Sequence, residues 1–405
     1  MVRAGAERAG AFRHRRDLRR RCDDRLETAL EIVYFVVLNA LGHLAFVGAR
    51  MTTTLFALEL GASEFTVGVL MSLFALLPTV LSVSAGRLID RAGPRRPLLF
   101  SLMALTVAAA LPFALPRLEI LYLSTTLLGV SFMYVHIAMN SVFGAHGSPE
   151  QRAVNFSWLA LGFSISNSIG PLVAGYAIDG LGHARAFLVL AFFPALAFVL
   201  LWRRKHPLPR PEQVPRAKRA GVLDLLRIPG LRQTFWVSLL LASGWDLYTF
   251  LIPLYGARIG LSAAAIGVIL STFALATFTV RLAMPVLIRK LKQWVIIFCA
   301  LAISGTCYLL FPLAHSVPPL LLLSFVLGLG LGSAQPVIMS LLYAASPPGR
   351  QGEAVGVRTS LLNGSHTLIP LASGAVSSTL GMAPVFWVLA ACLLGGAWFA
   401  RNQIK

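Results

Sequence analysis

The stretch GASEFTVGVLMSLFAL at residues 61–76 returns, 199 positions later, as GLSAAAIGVILSTFAL at residues 260–275. Gly61, Ser63, Gly68, Val69, Ser72, Phe74, Ala75 and Leu76 each meet an identical residue. The register then holds outward along the chain: Leu128-Gly129 meets Leu327-Gly328, Pro171 meets Pro370, and Phe187 meets Phe386. A shared Leu/Ala bias produces scattered coincidences, but not one offset kept over more than a hundred residues. The chain is two copies of one unit.

Composition says what the unit is made of. Charged residues are 13% of the 405, against about 25% in soluble domains, 57% are apolar, and mean hydropathy is +0.76. Runs of about 20 apolar residues, long enough to cross ~30 Å of hydrocarbon as helix, fall at 31–57, 66–86, 98–115, 118–143, 153–178 and 184–202. A second set falls at 232–256, 263–287, 292–313, 317–343, 354–377 and 383–400. The expected fold is an all-α integral membrane protein, twelve transmembrane helices in two six-helix repeats. Six crossings return the chain to its starting side, so the repeats are parallel. The expected organisation is a basic tail (1–30), a first bundle (31–202), a basic linker (203–231) and a second bundle (232–405). Within the linker, 221–227 reads as a short interfacial turn or helix.

Of 35 Lys and Arg, 29 lie in segments on the side of the termini, and three (Arg117, Arg185, Arg258) on the other. The positive-inside rule then makes both termini cytoplasmic, in the plasma membrane, or the inner membrane of a bacterium. The same asymmetry accounts for most of the net charge of +19. The basic tail reads as a solvated segment touching anionic lipid, not as a nucleic-acid site. Cys299, Cys307 and Cys392 lie in apolar spans and read as small core residues, while Cys22 lies in the tail. No metal-ligand spacing, nucleophile and base pair, or phosphate-binding loop is present, which argues against an enzyme, a bound cofactor or an ATP-driven pump.

Between spans two and three stands Gly86-Arg87-Leu88-Ile89-Asp90-Arg91-Ala92-Gly93-Pro94-Arg95-Arg96. Its glycines allow close packing and a tight turn, Asp90 suits a helix N-terminus, and Arg91, Arg95 and Arg96 hold the loop outside the bilayer. The pattern resembles the cytoplasmic loop signature of the major facilitator superfamily. That resemblance implies a latch that stabilises one access state, a rocking-bundle transporter fold, and a cavity lined by spans one, four, seven and ten. At the repeat position Asp90 becomes Arg289. Arg281, four residues before Pro285, matches the spacing of an arginine common in span eight of the family. In span five, Gly170-Pro171-Leu172-Val173-Ala174-Gly175 is similar to the family's antiporter signature, with Ala174 departing from it, and plain helix packing explains the same residues. The span-four arginine of drug/proton antiporters is replaced by Thr125.

Polar side chains within spans mark function by default. The candidates for substrate or coupling are Asn39, His43 and Arg50 in span one, His136 and Asn140 in span four, Trp245 and Asp246 in span seven, Gln335 in span ten and His366 in span eleven. His43, Arg50, His136, Trp245, Asp246 and Gln335 are expected to converge near the midplane. Asp246 is the carboxylate placed deepest in a span, and Arg50 is its expected partner, directly or through substrate. The combined expectation is a monomeric secondary transporter of a small organic solute, driven outward by the proton gradient. Proton-coupled uptake or passive exchange is the alternative in the same class. A transporter-like receptor or assembly factor is the alternative in another, disfavoured by the complete latch loop.

Overall fold

The computed structural model describes residues 2–145, 149–204, 208, 222–347 and 350–404, with the side chains of 2–29, 149–153, 222–223 and 351–352 excepted. The helices are α1 (Val2–Glu59), α2 (Glu64–Ala92), α3 (Arg95–Ala114), α4 (Leu118–Ala145), α5 (Pro149–Leu181) and α6 (His183–Arg203). They continue as α7 (Val222–Arg227), α8 (Pro229–Arg258), α9 (Ala263–Lys290), α10 (Gln293–Leu310), α11 (Val317–Ala345), α12 (Gln351–Leu380) and α13 (Met382–Arg401). Eleven of them are long and apolar enough to cross a bilayer, α1 from Leu30 onward. The twelfth span is α12, whose 30 residues suffice in length. Its Ser, Thr, Gly, Asn363 and His366 make it the most polar, which fits a helix that faces protein and cavity more than lipid. The six-residue α7 is the linker helix expected near 221–227; Gly221 itself lies outside the described residues.

The repeat is visible in the turns. Gly61 and Gly260 have φ of 80° and 77°, and Gly182 and Gly381 have 86° and 81°. These are left-handed conformations that favour glycine, and each pair is 199 residues apart. Ser63 and Ser262 then cap α2 and α9 alike, each hydroxyl accepting a backbone N–H three residues on at 3.2 Å. Among the described residues the one remaining positive-φ glycine is Gly93, at 76°, in the loop between α2 and α3. Its repeat partner is Lys292. The left-handed turn at this loop is therefore specific to the first half, although both halves join these helices through two residues.

The halves meet through α2 against α12 and α5 against α9, and these two seams repeat as well. The Cα of Gly68 packs on the Pro370 carbonyl and that of Gly267 on the Pro171 carbonyl, so close that an added Cβ would stand 2.6 Å and 2.4 Å from the oxygens. Ser72 Oγ donates to the Thr367 carbonyl at 2.7 Å, and Ser271 Oγ to the Ser168 carbonyl at 2.5 Å. Gly374 and Gly175 approach the Glu64 and Ala263 carbonyls in the same way. Lipid is as apolar as leucine, so small residues that let backbones touch are what hold such helices together.

All these contacts lie toward the end carrying the Gly61 and Gly260 turns. Carboxylates reinforce that end. Glu64 takes Arg258 at 3.0 Å and the Ser377 hydroxyl, and Asp179 accepts the first two N–H groups of α9, from Ala263 and Ala264, at 3.0 and 2.9 Å. Toward the linker end α5 and α9 part around an opening of about 440 Å³ lined by Val154, Trp158, Leu161, Phe278 and Leu282. The molecule is closed at one end and open toward the other.

Candidate functional site

Two cavities of about 190 and 200 Å³ lie in the interior and share one wall, Trp245 of α8. Successive residues of a helix point about 100° apart. Trp245, Tyr248 and Thr249 therefore turn to the first cavity, where they meet His43 and Arg50 of α1, Asn167 of α5 and Phe273 of α9. Phe273 stacks on Tyr248 (centroids 4.2 Å apart) and meets Trp245 edge-on at 4.8 Å, which fixes the indole. His43 Nδ1 lies 2.6 Å from Ser166 Oγ, and Phe46, Phe132 and Phe163 surround its ring.

The second cavity belongs mainly to α8, α11 and α12, with Arg281 from α9. Asp246 turns to this side. Its carboxylate is 3% exposed and receives His366 Nδ1 at 2.6 Å from each oxygen, while the imidazole is 41% exposed and lines the cavity. A buried acid is thus connected to the cavity through an imidazole. Gln335 lines the same space and accepts from Arg358 at 3.1 Å; the Arg358 Nε donates to Ser238 Oγ at 2.6 Å.

The expected convergence holds for part of the set. His43, Arg50 and Trp245 share the first cavity, and Trp245, Gln335 and His366 the second. Asn140 does not join them: its amide donates to the His136 carbonyl of its own helix. His136 sits against Phe132 and Phe163 at the edge of the His43 cluster. Asn39 is fully buried, and neither end of its amide has a hydrogen-bond partner among the described residues. Arg50 is not the direct ion partner of Asp246. Helix rotation turns the carboxylate to α12, so its attraction to Arg50 acts at longer range. Two of the three cysteines also depart from expectation: Cys307 is buried, but Cys299 and Cys392 are exposed, because lipid accepts small apolar residues as readily as a core does. Cys22 lies outside the described side chains.

Arg281 and Arg358 are absent from the sequence-derived candidates, yet both line the second cavity. The signal was available, since both are charges well inside spans, where each is costly unless used. The span-five motif divides its work. Pro171 and Gly175 build the seam with α9, while Gly170 lets α5 approach Leu44 and Gly48 of α1. Each of the three residues is thus a helix-packing position.

A family model described as Major Facilitator Superfamily matches residues 36–318 and 235–403. The chain belongs to the Major Facilitator Superfamily. Its relatives include the class G tetracycline resistance protein of Vibrio anguillarum, 28% identical over 79% of this chain and 83% of that protein. The class D protein of Salmonella ordonez is 26% identical over 81% and 84%. The quinolone resistance protein NorA of Staphylococcus aureus is 22% identical over 83% and 87%. Among solved structures, a POT family transporter superposes with a TM-score of 0.78 at 14% identity, covering 93% of this chain and 96% of that one. A bacterial homologue of the lysosomal transporter Spinster, inward-facing and occupied, gives 0.75 at 13%, covering 93% and 97%. These structures share the fold. The chain is a multi-pass membrane transporter of this superfamily.

The loop at Gly86–Arg96, whose sequence resembles the superfamily signature, is anchored within the first half. Gly93 ends α2, and Arg95 donates to the Arg204 carbonyl at the end of α6 at 2.6 Å. Arg204 in turn pairs with Glu31 and lies over the rings of Tyr34 and Phe35, about 5 Å from each centroid. Asp90, Arg91 and Arg96 are exposed at this end. At Gly86 an added Cβ would meet open space, so the close packing expected there is absent in this state.

Proposed function

We propose that this superfamily member exports a small organic solute in exchange for protons, by alternating access around the two cavities that meet at Trp245. The observation that carries the reading is the Asp246–His366 pair. A carboxylate at 3% exposure, held by an imidazole that faces the cavity, is a place where a proton can be taken up and released without leaving a bare charge in the membrane interior. The efflux direction is supported by relatives named for tetracycline and quinolone resistance. The protein works as a monomer, with no nucleic-acid partner and the proton gradient as its energy source.

The test is reconstitution into liposomes with an imposed pH gradient and a panel of labelled organic solutes. Solute should move opposite to protons, at a rate that falls when the gradient is collapsed by an ionophore. Co-directional movement would instead support uptake, the alternative that the threonine at position 125 keeps open. Movement that ignores the gradient would support passive exchange.

In this reading both termini and the linker are in the cytoplasm of a cell whose plasma membrane, or bacterial inner membrane, holds the protein, and the open end faces inward. The 29-to-3 distribution of Lys and Arg supports it. Cysteines introduced singly at Ala62 and Ala92 should then be modified by an impermeant maleimide from opposite faces, Ala62→Cys in intact cells and Ala92→Cys only in inverted vesicles. Labelling of both from outside would refute this topology.

A further inference from the structure

The interior holds more positive charge than its own carboxylates answer. Arg50 lines the first cavity with a buried Nε that has no hydrogen-bond partner among the described residues. Arg281 lines the second, and its described partner is a neutral hydroxyl, Ser164 Oγ of α5, at 3.3 Å. Arg358, 8% exposed, donates to Ser238 Oγ, Gln335 Oε1 and, at 3.7 Å, the sulfur of Met339. Among the described residues none of the three meets a carboxylate within 4.0 Å, and the acid nearest this region, Asp246, is engaged by His366.

The partners of Arg358 orient its guanidinium without neutralising it. Such a fixed, desolvated fork is matched to a planar carboxylate, which takes two parallel N–H donors. Apart from the His366 imidazole, the remaining wall is apolar: Leu241, Ala242, Leu331, Ile338 and Leu362, with the Trp245 indole. The two cavities that meet at Trp245 together reach the lower end of the size of organic-ligand sites, ~300–1,000 Å³.

We propose that the cavity bounded by α8, α9, α11 and α12 recognises an amphipathic organic acid, its carboxylate bound by Arg358 and Arg281 and its ring system set against Trp245. Arg281 reaches from the second half to Ser164 in the first. An arriving anion competes with that neutral hydroxyl for the guanidinium and so alters a contact between the halves. The proposal names the substrate class of the transport reading and rests on it for its physiological meaning, although binding itself needs no transport.

The test uses the full chain in phosphatidylcholine nanodiscs, with calorimetric titration of three matched probes: 1-naphthoate, neutral 1-naphthamide and the 1-naphthyltrimethylammonium cation. Naphthoate should bind at least about tenfold more tightly than the amide, the equivalent of one charge-assisted hydrogen bond, and the cation more weakly still. Arg281→Gln and Arg358→Gln should each lose that preference. Because either could misfold, Gln335→Glu supplies an independent variant. It places a carboxylate where Arg358 already donates, so it should abolish naphthoate binding while leaving the melting temperature equal or higher. Equal or tighter binding of amide or cation, no naphthoate binding at millimolar concentration, or naphthoate binding unchanged in Gln335→Glu would each overturn the proposal. Displacement of naphthoate by phosphatidylglycerol added to the discs would assign the site to an anionic lipid and overturn it too. Naphthoate preference without gradient-driven transport of any acid would leave the site standing and remove the transport reading. Transport of cations alone, with no acid binding, would do the reverse.

Discussion

Asp246→Asn should end gradient-driven accumulation of solute while sparing its downhill exchange. Asparagine keeps the size and one acceptor oxygen of aspartate, so His366 Nδ1 can still donate to it, at the place where it now lies 2.6 Å from both carboxylate oxygens. What the amide cannot do is take up and release a proton. At 3% exposure, larger changes such as Asp246→Ala would open a cavity and confuse folding with coupling, whereas the amide tests the proton alone. The rate of pH-driven transport should fall about 100-fold, the low end for removal of a proton-transferring group. Counterflow of labelled against unlabelled solute at equal pH should persist, and its dependence on pH should flatten. His366→Gln should reproduce the pattern in weaker form, because the acid remains but loses its connection to the cavity. Accumulation at the original rate in Asp246→Asn would remove this residue from coupling and leave the interior histidines, His43 and His136, as the groups to examine.

The fold was legible because its signals are local and repeated. Span length is set by bilayer thickness, and hydrophobicity alone marks eleven of the helices. The offset of 199 was readable because left-handed turns and serine caps admit few residue types, so Gly61 and Gly260, and Ser63 and Ser262, stay recognisable where the apolar residues drift. The seams between halves were also written in the chain as the repeated Gly68 and Gly267, Ser72 and Ser271, and Pro171 and Pro370. Their meaning was not, because a glycine that admits a carbonyl from another helix looks the same in sequence as one that turns a loop.

The site was legible residue by residue and illegible as pairs. Periodicity gives a residue's height along a helix well, and its azimuth only relative to neighbours on that helix. Heights placed Asp246 near Arg50. The rotation of α8 against α1 and α12, which depends on packing between helices far apart in sequence, gave the carboxylate to His366 instead. Asn140 shows the same limit, since a polar group in a span can be satisfied by its own backbone four residues back. Arg281 and Arg358 mark the opposite error. Arg281 entered only as a spacing mark and Arg358 not at all, and both needed the cavity around them to become a pair.

Gly267→Ala, alone and with Gly68→Ala, should shift the protein away from the state closed at the Gly61 and Gly260 turns. A Cβ on Gly267 would stand 2.4 Å from the Pro171 carbonyl oxygen, and one on Gly68 2.6 Å from that of Pro370. Both obstacles are backbone, so no change of rotamer relieves them, and α9 must move off α5, or α2 off α12. The cost falls on the closed state alone, because separated helices have room for a methyl group. Overpacking of this kind costs about 1–3 kcal/mol, which corresponds to roughly 5- to 150-fold in the ratio of the two states for each substitution. Gly180→Ala is the control: it lies on α5 near the same end, with nothing within 4 Å of the added Cβ, and alanine is the better helix former. Spin labels at Ala62 and Leu380, on opposite halves beside the Glu64–Ser377 contact, report the opening directly. Pulsed dipolar distances should lengthen in Gly267→Ala, lengthen further in the double variant, and stay unchanged in Gly180→Ala. A double variant that is folded and keeps the short distance would show that the two glycine seams do not determine closure, and would leave the Glu64 and Asp179 contacts as what holds that end together.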